Sequence, residues 1–461
     1  MTVGSIPRHM AAFAMPMLAG SLLQTAYSFV NAFWVGRYLG TVELAAITVS
    51  FPVIFALLPI GVGLTMATNI LVSQHYGARD MAQVRRVTDS SVVLVGVVSV
   101  LIMLVGQLLA PIIIRAMDTP PDVYPLAVSY LRVMLLSLPF GFGLFLTRSA
   151  LQGIGDSTTP LYFVTASVII TAILDPLLML GWLGFPRLGL DGTAWATLWT
   201  QLAALAALVL YMQIRQSVVT PSWRHLQVDW ATIWHITRIG VPSAVQQSLV
   251  SVSMLFVVGF VNAFGKTATA AFGVASRFDQ LAFIPAMTFS MAISTLTGQN
   301  IGAGKLHRVR EIFGWGLAYC GGFTVIASLL AVLAPRFILQ LFTDDPAVLD
   351  MGVPYLRIVG FSYVFFALTF SSNGVINGSG HTLVTTLISL VGLWLVRVPL
   401  AWLLPRLLDS VTGIWYAMAI SFVASTVVSM AFYLSGYWKR PVIKRNAPAP
   451  EMKPAEEMAE V

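Results

Sequence analysis

Charge is what this chain has least of. Only 10% of its 461 residues are ionic, whereas 57% are hydrophobic, and the mean hydropathy is +0.83. A soluble domain carries about 25% charged residues, and a soluble fold of this length could not cover its surface with so few. Soluble enzymes and scaffolds are thereby excluded, and the chain reads as a polytopic membrane protein. Cysteine is nearly absent as well: Cys320 stands alone inside an apolar run, which excludes an intrachain disulfide and a cysteine-built metal cluster. The patterns HExxH, GxSxG and CxxC do not occur, and the six histidines (9, 75, 225, 235, 307 and 381) lie in or near loops. That argues against an intramembrane enzyme. The glycine-rich turns 75-HYGARD-80 and 300-NIGAGK-305 lack the GxxxxGK[ST] spacing of a phosphate cradle, so neither nucleotide nor nucleic acid is an expected partner. The first apolar run is too long for a signal peptide and is expected to stay in the mature chain.

What the chain has is long apolar runs. A crossing helix needs about 20 apolar residues, and twelve stretches qualify: roughly 10–38, 44–73, 88–116, 125–150, 158–183, 190–214, 232–263, 268–297, 312–341, 349–376, 381–408 and 411–437. Prolines 16, 52, 59, 139, 242, 285 and 399 fall inside them and predict kinks. The Pro-, Ala- and Glu-rich tail 446-NAPAPEMKPAEEMAEV-461 predicts disorder. The net charge of +7 sits mostly in one set of loops, among them Arg79, Arg85, Arg86, Lys305, Arg308 and Arg310. The opposite loops hold Glu43, Asp118, Asp122, Asp344 and Asp345. The positive-inside rule then places both termini in the cytoplasm.

The chain also repeats itself. Segment 73-SQHYGARDMAQVRRV-87 corresponds to 298-GQNIGAGKLHRVREI-312, 130-YLRVMLLS-137 to 355-YLRIVGFS-362, 152-QGIGDSTT-159 to 377-NGSGHTLV-384, and 44-LAAITVS-50 to 269-TAAFGVA-275. All four pairs are 225 residues apart, in one order, which implies duplication of a six-span unit. An even number of spans returns the chain to the same side. The halves are therefore expected to be parallel, related by a two-fold axis along the membrane normal, and to form two lobes around a cavity exposed alternately. The expected fold class is an all-α polytopic membrane protein of twelve transmembrane helices in two six-helix lobes, with boundaries at 1–220, 221–440 and a tail at 441–461.

An ionisable residue inside a span costs about a few kcal/mol or more, and is a candidate functional group by default. Asp175, followed by Pro176, lies about 24 Å of helical rise into span 5. It reads either as an ion-coupling carboxylate, with room for Na⁺ beside it, or as a cap on a bent segment. Asn31 lies at a similar depth in span 1, as interhelical glue or as part of an ion site. Gln24 shares the face of Asn31 seven residues earlier, and Thr171 shares that of Asp175. On span 8, Arg277 and Asp279 are two residues apart and point away from each other. Arg397 is a candidate partner for Asp279, and a structural ion pair there competes with a functional one. Arg132 and Arg357, equivalent in the repeat, lie within snorkelling reach of the interface. The 19 methionines, 12 tryptophans and 27 phenylalanines could line a cavity for lipophilic cations.

Several segments carry a family resemblance: 34-WVGRYLG-40, 45-AAITVSFP-52, 152-QGIGDSTTP-160, 174-LDPLLMLG-181, 240-GVPSAVQQ-247 (in which Gln246 is a candidate cavity residue), 298-GQNIGAGK-305 and 413-GIWYA-417. They span the whole chain, which resembles the multidrug and toxic compound extrusion (MATE) family. The resemblance implies a monomeric twelve-helix antiporter of the cell (inner) membrane. It would export lipophilic cations and amphipathic compounds in exchange for H⁺ or Na⁺, needing membrane lipid and no cofactor. The family's span-5 acidic position matches Asp175. Its span-1 acidic position, in a pattern like VDxxxVGxxLG, falls on Asn31, and its span-7 Glu position on Val250. The expectation is that Asn31 faces Asp175 and bonds it, leaving the coupling to Asp175 alone or with Asp279. The competing expectation, based on Arg277 and Arg397, is a lipid-linked saccharide flippase of the same superfamily.

Overall fold

The computed structural model describes residues 1–222 and 226–440; the expected disordered tail lies outside them. Six helices make up the first repeat: α1 (Ile6–Tyr38), α2 (Thr41–Gly77), α3 (Met81–Ala116), α4 (Tyr124–Ile154), α5 (Thr158–Leu180) and α6 (Leu190–Ile214). The second begins with α7 (Trp230–Asn262), α8 (Lys266–Gly302), α9 (Leu306–Leu333) and the short α10 (Pro335–Gln340). It continues through α11 (Pro346–Phe361), α12 (Tyr363–Gly378), α13 (Thr382–Ser389), a π-helical stretch (Leu390–Arg397), α14 (Val398–Leu408) and α15 (Thr412–Ser435). Only helices satisfy every backbone group within one crossing segment, and among the described residues there is no strand. Ten helices are long and apolar enough to span a membrane. The pair α11 and α12, bent by 41°, makes an eleventh crossing, and α1, with 33 residues, makes the twelfth.

Local signals set the ends. Asp80 caps α3 by accepting from the Gln83 N–H, and Asp345 caps α11 through the Ala347 N–H. Gly155 and Gly181 close α4 and α5 in the left-handed conformation that glycine adopts without strain. Most of the expected proline kinks fall within continuous helices. The sharp break instead comes at Ser362, and the second irregularity is the π stretch that delivers Arg397.

The duplication appears directly where the repeats meet. Near their cation-rich ends α2 and α8 cross in contact. A methyl group on Gly77 would sit 2.0 Å from the Gln299 carbonyl oxygen, and one on Gly302 only 1.9 Å from that of Gln74. The two glutamines then bond across the seam in mirrored fashion: Gln74 Nε2 donates to the Gly378 carbonyl at 2.8 Å, and Gln299 Nε2 to the Gly153 carbonyl at 2.9 Å. Asn69 adds a bond to the Ser149 carbonyl and receives one from Thr295. The lobes are thus sealed at this end. The N-terminal segment lies on the seal, where Lys305 Nζ donates to the Thr2 carbonyl and Arg308 to that of Gly4.

The lobes also exchange helix ends. The first turns of α1 (Ile6, Met10, Phe13) pack with Phe289, Ile293 and Val309 of the second repeat. Reciprocally, Ile236 and Ile239 of α7 pack with Ile70, Leu71 and Val87 of the first.

The connection between repeats is tied down by one buried carboxylate. Asp89 on α3, fully buried, accepts from the Ser222 N–H at 3.0 Å and the Gln227 N–H at 3.3 Å, while Ser90 accepts from the Asp229 N–H. Asp229 in turn caps α7, and its bonds from the hydroxyl and N–H of Thr232 hold its carboxyl below the usual range. Asp89→Ala removes the acceptor of both N–H groups, each bond worth about 0.5–1.5 kcal/mol net. Maleimide labelling of Ser222→Cys is expected to accelerate several-fold in the Asp89→Ala background, with the buried Cys320 contributing no signal. Unchanged labelling would show that the connection is held by other contacts.

Candidate functional site

Asp175 sits on α5 with none of its surface exposed. Pro176 withholds the N–H that would otherwise bond the carbonyl one turn back, so the helix is locally polar where the carboxylate stands. Its Oδ2 accepts a hydrogen bond from the Tyr27 hydroxyl of α1 at 2.8 Å, and its Oδ1 has no protein donor. The expected Asn31–Asp175 bond is therefore replaced. Tyr27 lies one helical turn before Asn31, and its longer side chain takes the carboxylate. The Asn31 Oδ1 is itself buried without a partner. Two acceptor oxygens on neighbouring helices thus lack donors, an arrangement suited to receiving a proton or a small cation rather than to closing a structural bond.

A cavity of about 210 Å³ reaches Tyr27, the donor to Asp175, and Thr171 one turn before it; Asn31 and Asp175 do not themselves line it. Gln24, Tyr27 and Thr171 line it together with Ser167, Gln201 and Arg148. Gln24 and Thr171 are therefore brought to one space with the Tyr27–Asp175 pair, as their shared helix faces imply.

The second-repeat candidates lie elsewhere. Asp279 is buried on α8 and accepts from the hydroxyls of Tyr355 and Tyr363, which flank the break at Ser362. No direct bond joins Asp279 to the expected partner Arg397, although the two buried charges are near enough to attract each other. Arg397 Nε instead donates to Ser421 Oγ at 2.9 Å, its guanidinium stacks 4.6 Å from the Phe422 ring centre, and its Nη2 is buried without a partner. Arg277 does not reach across to another helix's acid either. It is exposed, with its guanidinium 5.9 Å from the Phe342 ring centre. Gln246 belongs to an amide and hydroxyl cluster with Ser389 and Thr385, which also binds Asn377.

Sequence reasoning passed over Tyr27 and Arg148. Tyr27 carried a signal, since it stands one turn from Asn31 on the same face. Arg148, in 144-LFLTRSALQGIG-155, is a cation inside a span and met the same criterion that singled out Asp175.

Tyr27→Phe is expected to reduce ion-driven transport about 2–10-fold, the net worth of one hydrogen bond, while leaving the carboxylate in place. A transport rate equal to that of the parent would remove Tyr27 from the site.

Comparison with known proteins agrees with this architecture. The MatE family matches twice, over residues 16–177 and 242–403, once in each repeat. The chain is 31% identical to the probable multidrug resistance protein YoeA of Bacillus subtilis, covering 96% of each chain. It is 26% identical to the probable multidrug resistance protein NorM of Thermotoga maritima, again over 96% of each. A mutant of the Vibrio cholerae MATE transporter VcmN, 23% identical, superposes with a TM-score of 0.87 over 94% of this chain and 98% of that one. With the twelve crossings, the duplicated lobes and the family match in each repeat, the chain belongs to the MatE family of multi-pass membrane transporters.

Proposed function

We propose that this protein is a secondary antiporter that exports cationic and amphipathic small molecules in exchange for H⁺ or Na⁺. The observation that carries the reading is Asp175: fully buried, bonded through one oxygen to Tyr27, which lines a cavity, and without a donor at the other. A carboxylate in that setting gains much from a proton or cation, because an unpaired charge in the membrane interior is costly. Loading it neutralises the lobe and unloading restores the charge, so ion occupancy can bias two arrangements of the lobes. The seal across α2 and α8 supplies one such arrangement, closed at the cation-rich end. The positive-inside rule makes that end cytoplasmic, with both termini there, in the cell (inner) membrane. The relatives' names, multidrug resistance proteins, support the substrate class.

The two cations on which the flippase reading was based stand elsewhere: Arg277 faces outward and Arg397 is packed between Ser421 and Phe422. Neither lines the cavity beside Asp175. The test is export of a fluorescent lipophilic cation from proteoliposomes under a pH gradient or a Na⁺ gradient imposed separately. The effective gradient names the ion. Silence under both, with folded protein, would refute the antiporter.

A further inference from the structure

The cavity beside Asp175 has a second end. Along α5 its lining runs from Pro160, near the cation-rich end, to Thr171, one turn short of Asp175. Arg148 on α4 lines it about 9 Å of helical rise from that helix's cation-rich terminus. By the same rise, Arg148 and Asp175 stand on the order of 15 Å apart along the membrane normal. Arg148 has no hydrogen-bond or ion-pair partner among the described residues, and the cavity lining contains no Asp or Glu.

The other polar groups divide by what they have left to give. Ser167 and Thr171 donate back to helix carbonyls at 2.7 Å, and Thr197 does so at 3.0 Å. The Tyr27 hydroxyl is spent on Asp175. The unspent donors are the Gln24 side-chain amide, one turn before Tyr27, and, elsewhere in the lining, the Arg148 guanidinium, the Thr200 hydroxyl and the Gln201 side-chain amide. Thr200 and Gln201 hold buried oxygens without partners. A cation entering this space would meet an uncompensated guanidinium. An acid would meet a planar, permanently charged five-donor fork, whose geometry matches carboxylate, sulfonate or phosphate.

We infer that the Arg148 end of this cavity is a subsite for an anionic group, so that carboxylate-, sulfonate- or phosphate-bearing amphipaths bind with their acid against Arg148. The inference rests on reading the cavity as substrate space. It narrows the substrate class to include zwitterions, whose cationic part is favoured toward Asp175 and whose acid is favoured toward Arg148.

The test uses the full chain in phosphatidylcholine nanodiscs and two probes of one shape, 1-naphthylacetate and 1-naphthylacetamide, titrated without any ion gradient. The parent is expected to bind the acid about tenfold or more tightly than the amide, the scale of one charge-assisted hydrogen-bond pair. Arg148→Gln is expected to bring the acid down to the amide and leave the amide unchanged. Arg148→Lys is expected to keep a reduced preference, since a point charge replaces the fork. Should Arg148→Gln fail to fold, the parent and the Lys variant decide. Equal affinity for the two probes in the parent, or an acid preference that survives in Arg148→Gln, overturns the inference. Adding phosphatidylglycerol separates two sources of the anion. Weakened naphthylacetate binding assigns the subsite to a lipid headgroup, and unchanged binding assigns it to soluble acids. Because no gradient is applied, failure of ion-driven export would leave this result standing, and loss of the acid preference would leave the Asp175 reading standing.

Discussion

Proteoliposomes containing Asp175→Asn are expected to bind a lipophilic cation but no longer to pump it. The substitution preserves shape and keeps an acceptor oxygen for the Tyr27 hydroxyl, which now bonds Asp175 at 2.8 Å. It removes the charge that a proton or Na⁺ would neutralise. Ion–substrate coupling of about 1–3 kcal/mol corresponds to about 5–150-fold, so gradient-driven export should fall by that factor while downhill equilibration of the same compound continues. Loss of both together would indicate a folding defect, checked by thermal melting of the detergent-purified variant. Full ion-driven export by Asp175→Asn would remove the carboxylate from the mechanism and move the search to Asp279, a buried acid of the second repeat held by Tyr355 and Tyr363.

The double variant Gly77→Ala, Gly302→Ala is expected to abolish transport by a different route. Each added methyl would fall about 2 Å from a backbone carbonyl oxygen of the facing helix. Backbone cannot rotate away as a flexible side chain can, so α2 and α8 must separate. Overpacking of this kind costs about 1–3 kcal/mol per site, and both costs fall on the sealed arrangement. A transporter that cannot reach one of its two arrangements completes no cycle. The readout is a reporter at Thr297→Cys, a fully buried position beside the seam, packed on Gly378, whose carbonyl Gln74 bonds across it, and with a hydroxyl that makes no hydrogen bond. It should be inert to an impermeant maleimide in the parent and labelled in the double variant. An inert Thr297→Cys alongside normal transport would show that the helices tolerate the methyls and that the seam does not gate the pathway.

The twelve crossings and the two-lobe plan were legible because both follow from one-dimensional signals. Hydrocarbon thickness dictates run length, and duplication leaves an offset that simple comparison reveals. The seam was half legible. The segments around Gln74 and Gln299 were recognised as equivalent, but their crossed bonds to Gly378 and Gly153 depend on how four helices meet. Placement followed from spacing where residues sat on one helix face, as with Gln24 and Thr171 in one cavity lining, and did not where partners had to be chosen across helices. Asn31 was assigned a bond that Tyr27 makes, and Arg397 faces Asp279 only at a distance while bonding Ser421, for the same reason. A tyrosine hydroxyl carries no charge to draw attention in a sequence, yet it outreaches an amide and outcompetes a guanidinium when its ring already belongs to the packed wall. The bend at Ser362 has no proline to announce it, and Pro399, which was expected to mark a kink, follows a π-helical stretch within one continuous crossing.

The exchange of helix ends between the lobes bears on how the molecule is made. Ribosomes deliver the first six crossings before the last six exist. Until α8 and α9 arrive, the opening turns of α1 have no wall to lie against, and the surface of α2 and α3 that will receive Ile236 and Ile239 faces lipid or a chaperone. Neither half is therefore a finished unit when it leaves the translocon. Each completes its partner, so the hinge between lobes is also the last joint to be assembled. A gene duplication that began with two self-sufficient bundles has become, in this chain, a single obligate one.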